Sequence, residues 1–189
     1  MSTKVNDRVT LHQGRVFNLV RENVTLANGV SVDLDIVRHP GASAVLAQPI
    51  SDTVILVKQY RHALEDFIWE IPAGTLDENE LPLECAKREL IEETGFSASV
   101  WQKLGEITPV PGYSDERIHI FMATDLKPAQ QDLDKDEVLE AHEVALDEAM
   151  EMISKGAIQD GKTISGLFML TRWLNKRNTD ILDHFRERV

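Results

Sequence analysis

The stretch GTLDENELPLECAKRELIEETGF, residues 74–96, constrains this chain more than any other segment. Gly74 and Gly95 bracket a run that carries Glu89, Glu92 and Glu93. Pro82 suits a first helical turn, where its missing N–H costs little. Gly95 suits the position just past a helix end. Leu83, Ala86, Leu90 and Ile91 recur at helical spacing, which predicts a helix from about Pro82 to Thr94 with one apolar stripe. On that helix Glu89 and Glu93 stack on one face, and Glu92 lies on the same flank. Glu89 and Glu93 are about 6 Å apart along the axis. Two like charges at that distance repel by roughly 3 kcal/mol at an effective dielectric of about 20. One reading is a solvated face screened by Lys87 and Arg88, since exposed like-charge pairs cost only tenths of a kcal/mol. The other is a divalent-cation site, and hard carboxylate oxygens suit Mg²⁺ or Mn²⁺.

Length and charge narrow the classes. At 189 residues the chain is read as one compact unit with room for an elaboration. A formal charge of −12 argues against nonspecific nucleic-acid binding, which needs a basic surface. Cys85 is the only cysteine, so no intrachain disulfide is expected, and its position predicts a small buried thiol rather than a nucleophile. The N-terminal MSTKVNDRVT has no apolar signal core, and no stretch approaches the roughly 20 apolar residues that span a bilayer. The expectation is a cytoplasmic protein with no membrane partner.

Short β-like runs cover Arg15 to Thr25 and Val30 to Arg38, and Asn28-Gly29 between them is a hairpin-turn signal. These predict a small N-terminal antiparallel sheet that ends at Pro40-Gly41. Further strands are expected at Ser43 to Gln48, Thr53 to Tyr60, Trp69 to Ile71, Ser99 to Thr108, Arg117 to Thr124 and Glu140 to Val144. Ile118, Ile120 and Met122 alternate with His119, Phe121 and Ala123, as in a strand covered on both faces. Residues 125–137 are polar and acidic and predict a mobile loop. Helices are expected at Asp147 to Ser154 and Ile164 to Leu174. His62, His119 and His142 share no metal-ligand spacing and are read as structural.

The order Gly74, five residues, Glu80, seven residues, then Arg88-Glu89-Leu90-x-Glu92-Glu93-x-Gly95-Phe96 resembles the Nudix box of the Nudix hydrolases at every defined position. Pro111, sixteen residues after Gly95, resembles the ADP-ribose pyrophosphatase subgroup. Arg38-His39-Pro40-Gly41, Gln59-Tyr60-Arg61, Trp69 to Gly74, Val110 to Glu116, and Gly156-x-Ile158-x-Asp160 with Lys162-Thr163 fit the same subgroup. The resemblance implies an α/β fold. The expected form is a Nudix α/β/α sandwich with a mixed sheet, over residues 41–189, behind an N-terminal antiparallel β subdomain over 1–40. It also implies a homodimer, since such sheets pack across dimer interfaces in the family. The implied activity is metal-dependent hydrolysis of ADP-ribose, or a related ADP-sugar, to AMP and ribose 5-phosphate. GDP-sugar hydrolases of the same branch share much of the pattern, so GDP-mannose stays open as the substrate. A Nudix-fold nucleotide sensor without hydrolysis is the alternative of another class.

The resemblance also distributes roles. Glu89, Glu93 and Glu92 are expected to ligate Mg²⁺, with the Ala73 carbonyl as an extra ligand. Arg88 is expected to orient the helix carboxylates by pairing with Glu80 or Glu92, since its planar fork suits that role. The general base is expected from the acidic loop, at Glu137, with Glu140 as runner-up; it must reach the attacking water. Arg61 is a candidate for the diphosphate through charge-assisted hydrogen bonds. Arg38, Glu70 and Pro111 are further substrate-side candidates, and Phe17 is a candidate to stack on adenine.

Overall fold

The computed structural model describes residues 2–186, and the backbone alone for 178–186. Three antiparallel strands come first: β1 (Lys4–Gln13), β2 (Asn18–Thr25) and β3 (Ser31–Arg38), in the order β1-β2-β3. The hairpin between β2 and β3 turns at Asn28-Gly29 as its sequence requires. Gly29 has φ 85°, and the Asn28 side chain accepts a hydrogen bond from the Val30 N–H at 3.1 Å. β1 is a strand that apolar patterning missed. All its residues are exposed, so burial imposed no alternation on its sequence. Arg15 to Phe17 belong to the β1–β2 turn, closed by a bond from the Gly14 N–H to the Phe17 carbonyl at 2.9 Å, rather than to β2.

The remaining chain contains β4 (Ala42–Ala47), β5 (Thr53–Arg61), β6 (Asp66–Glu70), β7 (Ala73–Thr75), α1 (Pro82–Thr94), β8 (Phe96–Ile107), β9 (Ile118–Pro128), β10 (Leu139–Ala145), α2 (Leu146–Ser154) and α3 (Gly161–Arg186). A four-stranded sheet runs β7-β4-β9-β8, and it is mixed because β4 and β9 are parallel. A second sheet, β10-β5-β6, is antiparallel. β9 continues to Pro128, so the acidic loop is shorter than its composition predicts and covers 129–138. α3 starts at Gly161 and runs past Leu174.

Both faces of the mixed sheet are covered. Ala44, Leu46, Ile118, Ile120 and Met122 pack with Leu167 and Leu170 of α3 and with Val54 and Leu56 of β5. Val45, Ala47, Phe121 and Ala123 pack on Ala86 and Leu90 of α1. This gives the α/β/α layering its core, with the alternation of β9 split between two apolar layers. α3 approaches closely because Gly166 carries no side chain. A Cβ there would lie 2.8 Å from Leu46 Cδ2.

α1 keeps the predicted bounds. Pro82 opens it, and Gly95 ends it at φ 71° with its N–H bonded to the Ile91 carbonyl. Ile91 is only half-buried, and Cys85 is fully buried on the core side. Among the described residues no helix is long and apolar enough to cross a membrane.

Candidate active site

The short strand β7 lies against the middle of α1, and the sequence makes that contact close. A Cβ at Gly74 would sit 1.7 Å from Glu89 Oε1. The glycine is therefore required by the carboxylate stacked on its Cα, not by backbone torsion. One turn further along the helix, Glu93 Oε2 accepts a hydrogen bond from the Ala73 N–H at 3.0 Å. Glu89 is 7% exposed and Glu93 is 1% exposed. The solvated-face reading of these two glutamates does not describe them.

Burial has an electrostatic consequence. Loss of hydration pushes the Glu89 carboxyl up to about 7, and the Arg88 guanidinium only partly offsets that rise. Glu93 is raised well above the ordinary carboxylate range, first by burial and then by the Glu89 charge. Glu137 adds its own negative charge to both. The neighbouring negative charges thus oppose ionisation of the buried pair Glu89 and Glu93 in the notch beside Gly74.

Arg88 organises the outer side of the notch. Its Nε and Nη2 donate to the two Glu80 oxygens at 3.0 and 2.9 Å. Its Nη1 donates to Glu89 at 2.6 Å and to Glu92 at 2.9 Å. Nη2 also reaches the Thr75 carbonyl at 3.1 Å. One planar fork ties the loop glutamate, two helix carboxylates and the β7 backbone together. Cys85 lies behind this fork. Burial pushes its thiol up to about 12, so it is no nucleophile at neutral pH.

Beside the notch opens a cleft of about 1030 Å³. Of the residues singled out from sequence, Arg61, Ala73, Arg88, Glu89 and Glu137 line it. Glu93 is not part of the lining and meets it through the Ala73 N–H. Glu137 comes from the 129–138 loop, where its Oε2 accepts the Asp134 N–H at 3.1 Å. Glu140, on β10, is 80% exposed at its side chain and stands outside the lining, near His142. His142 packs edge-on to Trp69 with ring centroids 5.1 Å apart, a structural contact.

Five candidates sit elsewhere. Glu92 lines a separate depression with Ile91, Gln130 and Asp132. Glu70 is 1% exposed and holds Arg61 by bonds of 2.6 and 2.8 Å and also accepts from Lys162, so it meets the cleft through those two cations. Arg38 is engaged with Asp115 at 2.8 Å and Glu22 at 2.6 Å, which ties β3 to the loop before β9. Pro111 is exposed in that loop, whose Pro109 and Glu116 reach the cleft instead. Phe17 is 44% exposed, while its turn neighbours Arg15 and Val16 line the cleft. Lys162 and Asp160 also line it, without a role readable from sequence.

The donor set fits a hard divalent cation. It offers the carboxylates of Glu89 and Glu93 and the backbone carbonyl at Ala73, with neither imidazole nor thiolate. Among the described residues no three acidic, histidine or cysteine side chains form a ready-made cage.

An ADP-ribose pyrophosphatase from Bacillus subtilis (strain 168) is 41% identical over 155 residues, covering 81% of this chain and 84% of its own. A methanol dehydrogenase activator from Bacillus methanolicus is also 41% identical, over 156 residues, covering 82% of this chain and 84% of its own. A solved structure, the crystal structure of an ADP compounds hydrolase, superposes with a TM-score of 0.81 at 26% identity and covers 94% of this chain and 96% of that one. The family model for the NUDIX domain matches residues 37–167, and the chain therefore belongs to the Nudix family.

Proposed function

We propose that the protein hydrolyses the diphosphate of ADP-ribose, or a related ADP-sugar, to AMP and ribose 5-phosphate with Mg²⁺, which Mn²⁺ can replace. The observation that carries this reading is the pair Glu89 and Glu93, buried one turn apart over Gly74 at the edge of a large cleft. The relative from Bacillus subtilis supplies the substrate class.

A divalent cation bound here supplies charge neutralisation of the diphosphate and a lowered pKa for water. The chain's own residues do the rest. Glu89, Glu93 and the Ala73 carbonyl would hold the cation, with Glu92 as an outer ligand on the same helix. Arg88 keeps Glu89 and Glu92 in place through its fork. Arg61 receives the diphosphate at the cleft wall. Glu137 takes the proton from the attacking water as the anhydride P–O bond breaks. The 129–138 loop suits this role, because it brings Glu137 to the lining of the cleft. Arg38, Glu70 and Pro111 act on the substrate side by fixing the cleft walls rather than by reaching in.

The segment 1–40 is proposed as a dimerisation element that also contributes to substrate contact. Within a single chain its sheet leaves Val5, Val9, Leu11 and Leu34 between 41% and 52% exposed, an apolar surface that a second copy would cover. A second functional reading, a nucleotide sensor acting on a partner, draws support from the relative named as an activator. The buried glutamates weigh against it, since burying charges without using them costs stability.

The test is product release from ADP-ribose, ADP-glucose and GDP-mannose, with Mg²⁺ and with EDTA. Metal-dependent AMP from ADP-ribose is expected. Preferential GMP from GDP-mannose would move the substrate to GDP-sugars. No turnover of any sugar would favour the sensor.

A further inference from the structure

Behind Arg61 lies a cluster of charges, two of which, Lys162 and Asp160, the reading above leaves without a role. Glu70, at the end of β6, is 1% exposed, and its two oxygens accept from Arg61 Nε at 2.6 Å and Nη2 at 2.8 Å. The oxygen bonded to Nη2 also accepts from Lys162 Nζ at the start of α3. Lys162 Nζ bridges onward to Asp160 Oδ2 at 3.0 Å, and its side chain is only 11% exposed. Two cations and two carboxylates balance one another there, next to the buried Glu93.

The lysine is fixed by the way α3 begins. Asp160 Oδ2 caps the helix, accepting from the Thr163 N–H at 2.9 Å and from its hydroxyl at 2.6 Å. The same hydroxyl oxygen accepts the Ile71 N–H at 2.8 Å, and Thr163 is fully buried. Asp160-x-Lys162-Thr163 therefore grips the backbone between Glu70 and Ala73 from one side. Arg61 grips Glu70 from the other. Arg61 Nη1 stands outside this pair on a side chain 41% exposed that lines the cleft.

We propose that Lys162 is a positioning residue for substrate binding, holding Glu70 so that Arg61 presents Nη1 to the substrate diphosphate. A buried carboxylate between two cations stays midway between them. With Lys162 gone, Glu70 and Asp160 share Arg61 as their remaining cation, and the guanidinium is drawn inward from the cleft. The loss falls on binding of an anionic substrate, not on the water-activating groups. This rests on the ADP-sugar reading of the cleft.

The experiment measures kcat and KM for ADP-ribose with saturating Mg²⁺ in wild type, Lys162→Met, Lys162→Arg, Arg61→Ala and the Lys162→Met/Arg61→Ala double variant, with a thermal melt of each. Lys162→Met should raise KM at least tenfold while kcat stays within about threefold, and Lys162→Arg should recover most of the loss. In the double variant Lys162→Met should add less than twofold to the KM of Arg61→Ala, because both act through one contact. If Lys162→Met does not fold, Lys162→Gln, which keeps a donor toward Glu70 without its charge, carries the same expectation for KM. An unchanged KM, a loss confined to kcat, or full additivity with Arg61→Ala overturns the role of Lys162 while leaving ADP-ribose hydrolysis standing. A wild type that leaves ADP-ribose intact overturns both.

Discussion

Glu89→Gln should make the metal-free protein more stable while disabling it. The Glu89 carboxyl titrates at about 7 in the folded chain against an ordinary 4.5. That difference corresponds to about 3 kcal/mol held against the fold once the group is ionised in both states. Only 7% of the residue is exposed, so solvent screens little of this. The folded state binds the proton more tightly than the unfolded chain. Stability therefore falls as pH rises from about 4.5 to about 7, and stays low above it. Glutamine mimics the protonated form and removes the penalty. For a chain of this size about 1 kcal/mol moves Tm by roughly 2–4 °C, so Glu89→Gln in EDTA at pH 8 should melt about 6–12 °C above wild type. At pH 5 the gap should shrink to about 1 kcal/mol or less, because wild-type Glu89 is then protonated in the fold. Mg²⁺ should raise the Tm of wild type at pH 8 far more than that of the variant. Circular-dichroism melts at both pH values provide the readout. A variant less stable than wild type at pH 8, or a gap that does not change with pH, refutes the reasoning.

Three shorter expectations follow from the same geometry. Gly74→Ala puts a Cβ 1.7 Å from Glu89 Oε1, so the carboxylate must leave its place; steady-state kinetics should show kcat down by about a hundredfold, and a loss below fivefold would contradict the tight cradle. Glu137→Gln should lower kcat strongly with KM nearly unchanged, and an unaffected rate in that variant moves the base elsewhere. Cys85, fully buried with its thiol pushed up to about 12, should resist iodoacetamide at pH 8 in the native protein and react after denaturation, as mass spectrometry can follow; rapid native labelling would show the α1 packing to be wrong.

The sequence was most readable where local rules and packing agree. α1 has its proline at the start, its left-handed glycine at the end and its glutamates at helical spacing, so both its bounds and its acidic face were visible. β1 was invisible for the opposite reason, since none of its side chains is buried and no pattern is imposed on them. Composition overextended the acidic loop, because Leu126 to Pro128 remain paired to β8 through backbone bonds that the side chains do not prevent. The arginines mark another limit. A sequence shows a cation, but whether it faces a carboxylate of the fold or an anionic ligand depends on partners far away along the chain. Arg38 is consumed by Glu22 and Asp115, and Lys162 meets Glu70 from ninety-two positions away. Glu140 and Glu137 are nearly adjacent in sequence, yet only Glu137 lines the cleft. Strand pairing fixes Glu140 opposite Lys58 on β5, whereas Glu137 stays on the loop.

The most direct measurement is AMP release from ADP-ribose by wild type and Glu93→Gln, side by side, with Mg²⁺ and with EDTA. The account predicts turnover by wild type that stops in EDTA. It also predicts a fall of several orders of magnitude in Glu93→Gln, with a melt that still reports a folded chain. Near-normal AMP release from Glu93→Gln, or wild-type release indifferent to EDTA, would contradict it.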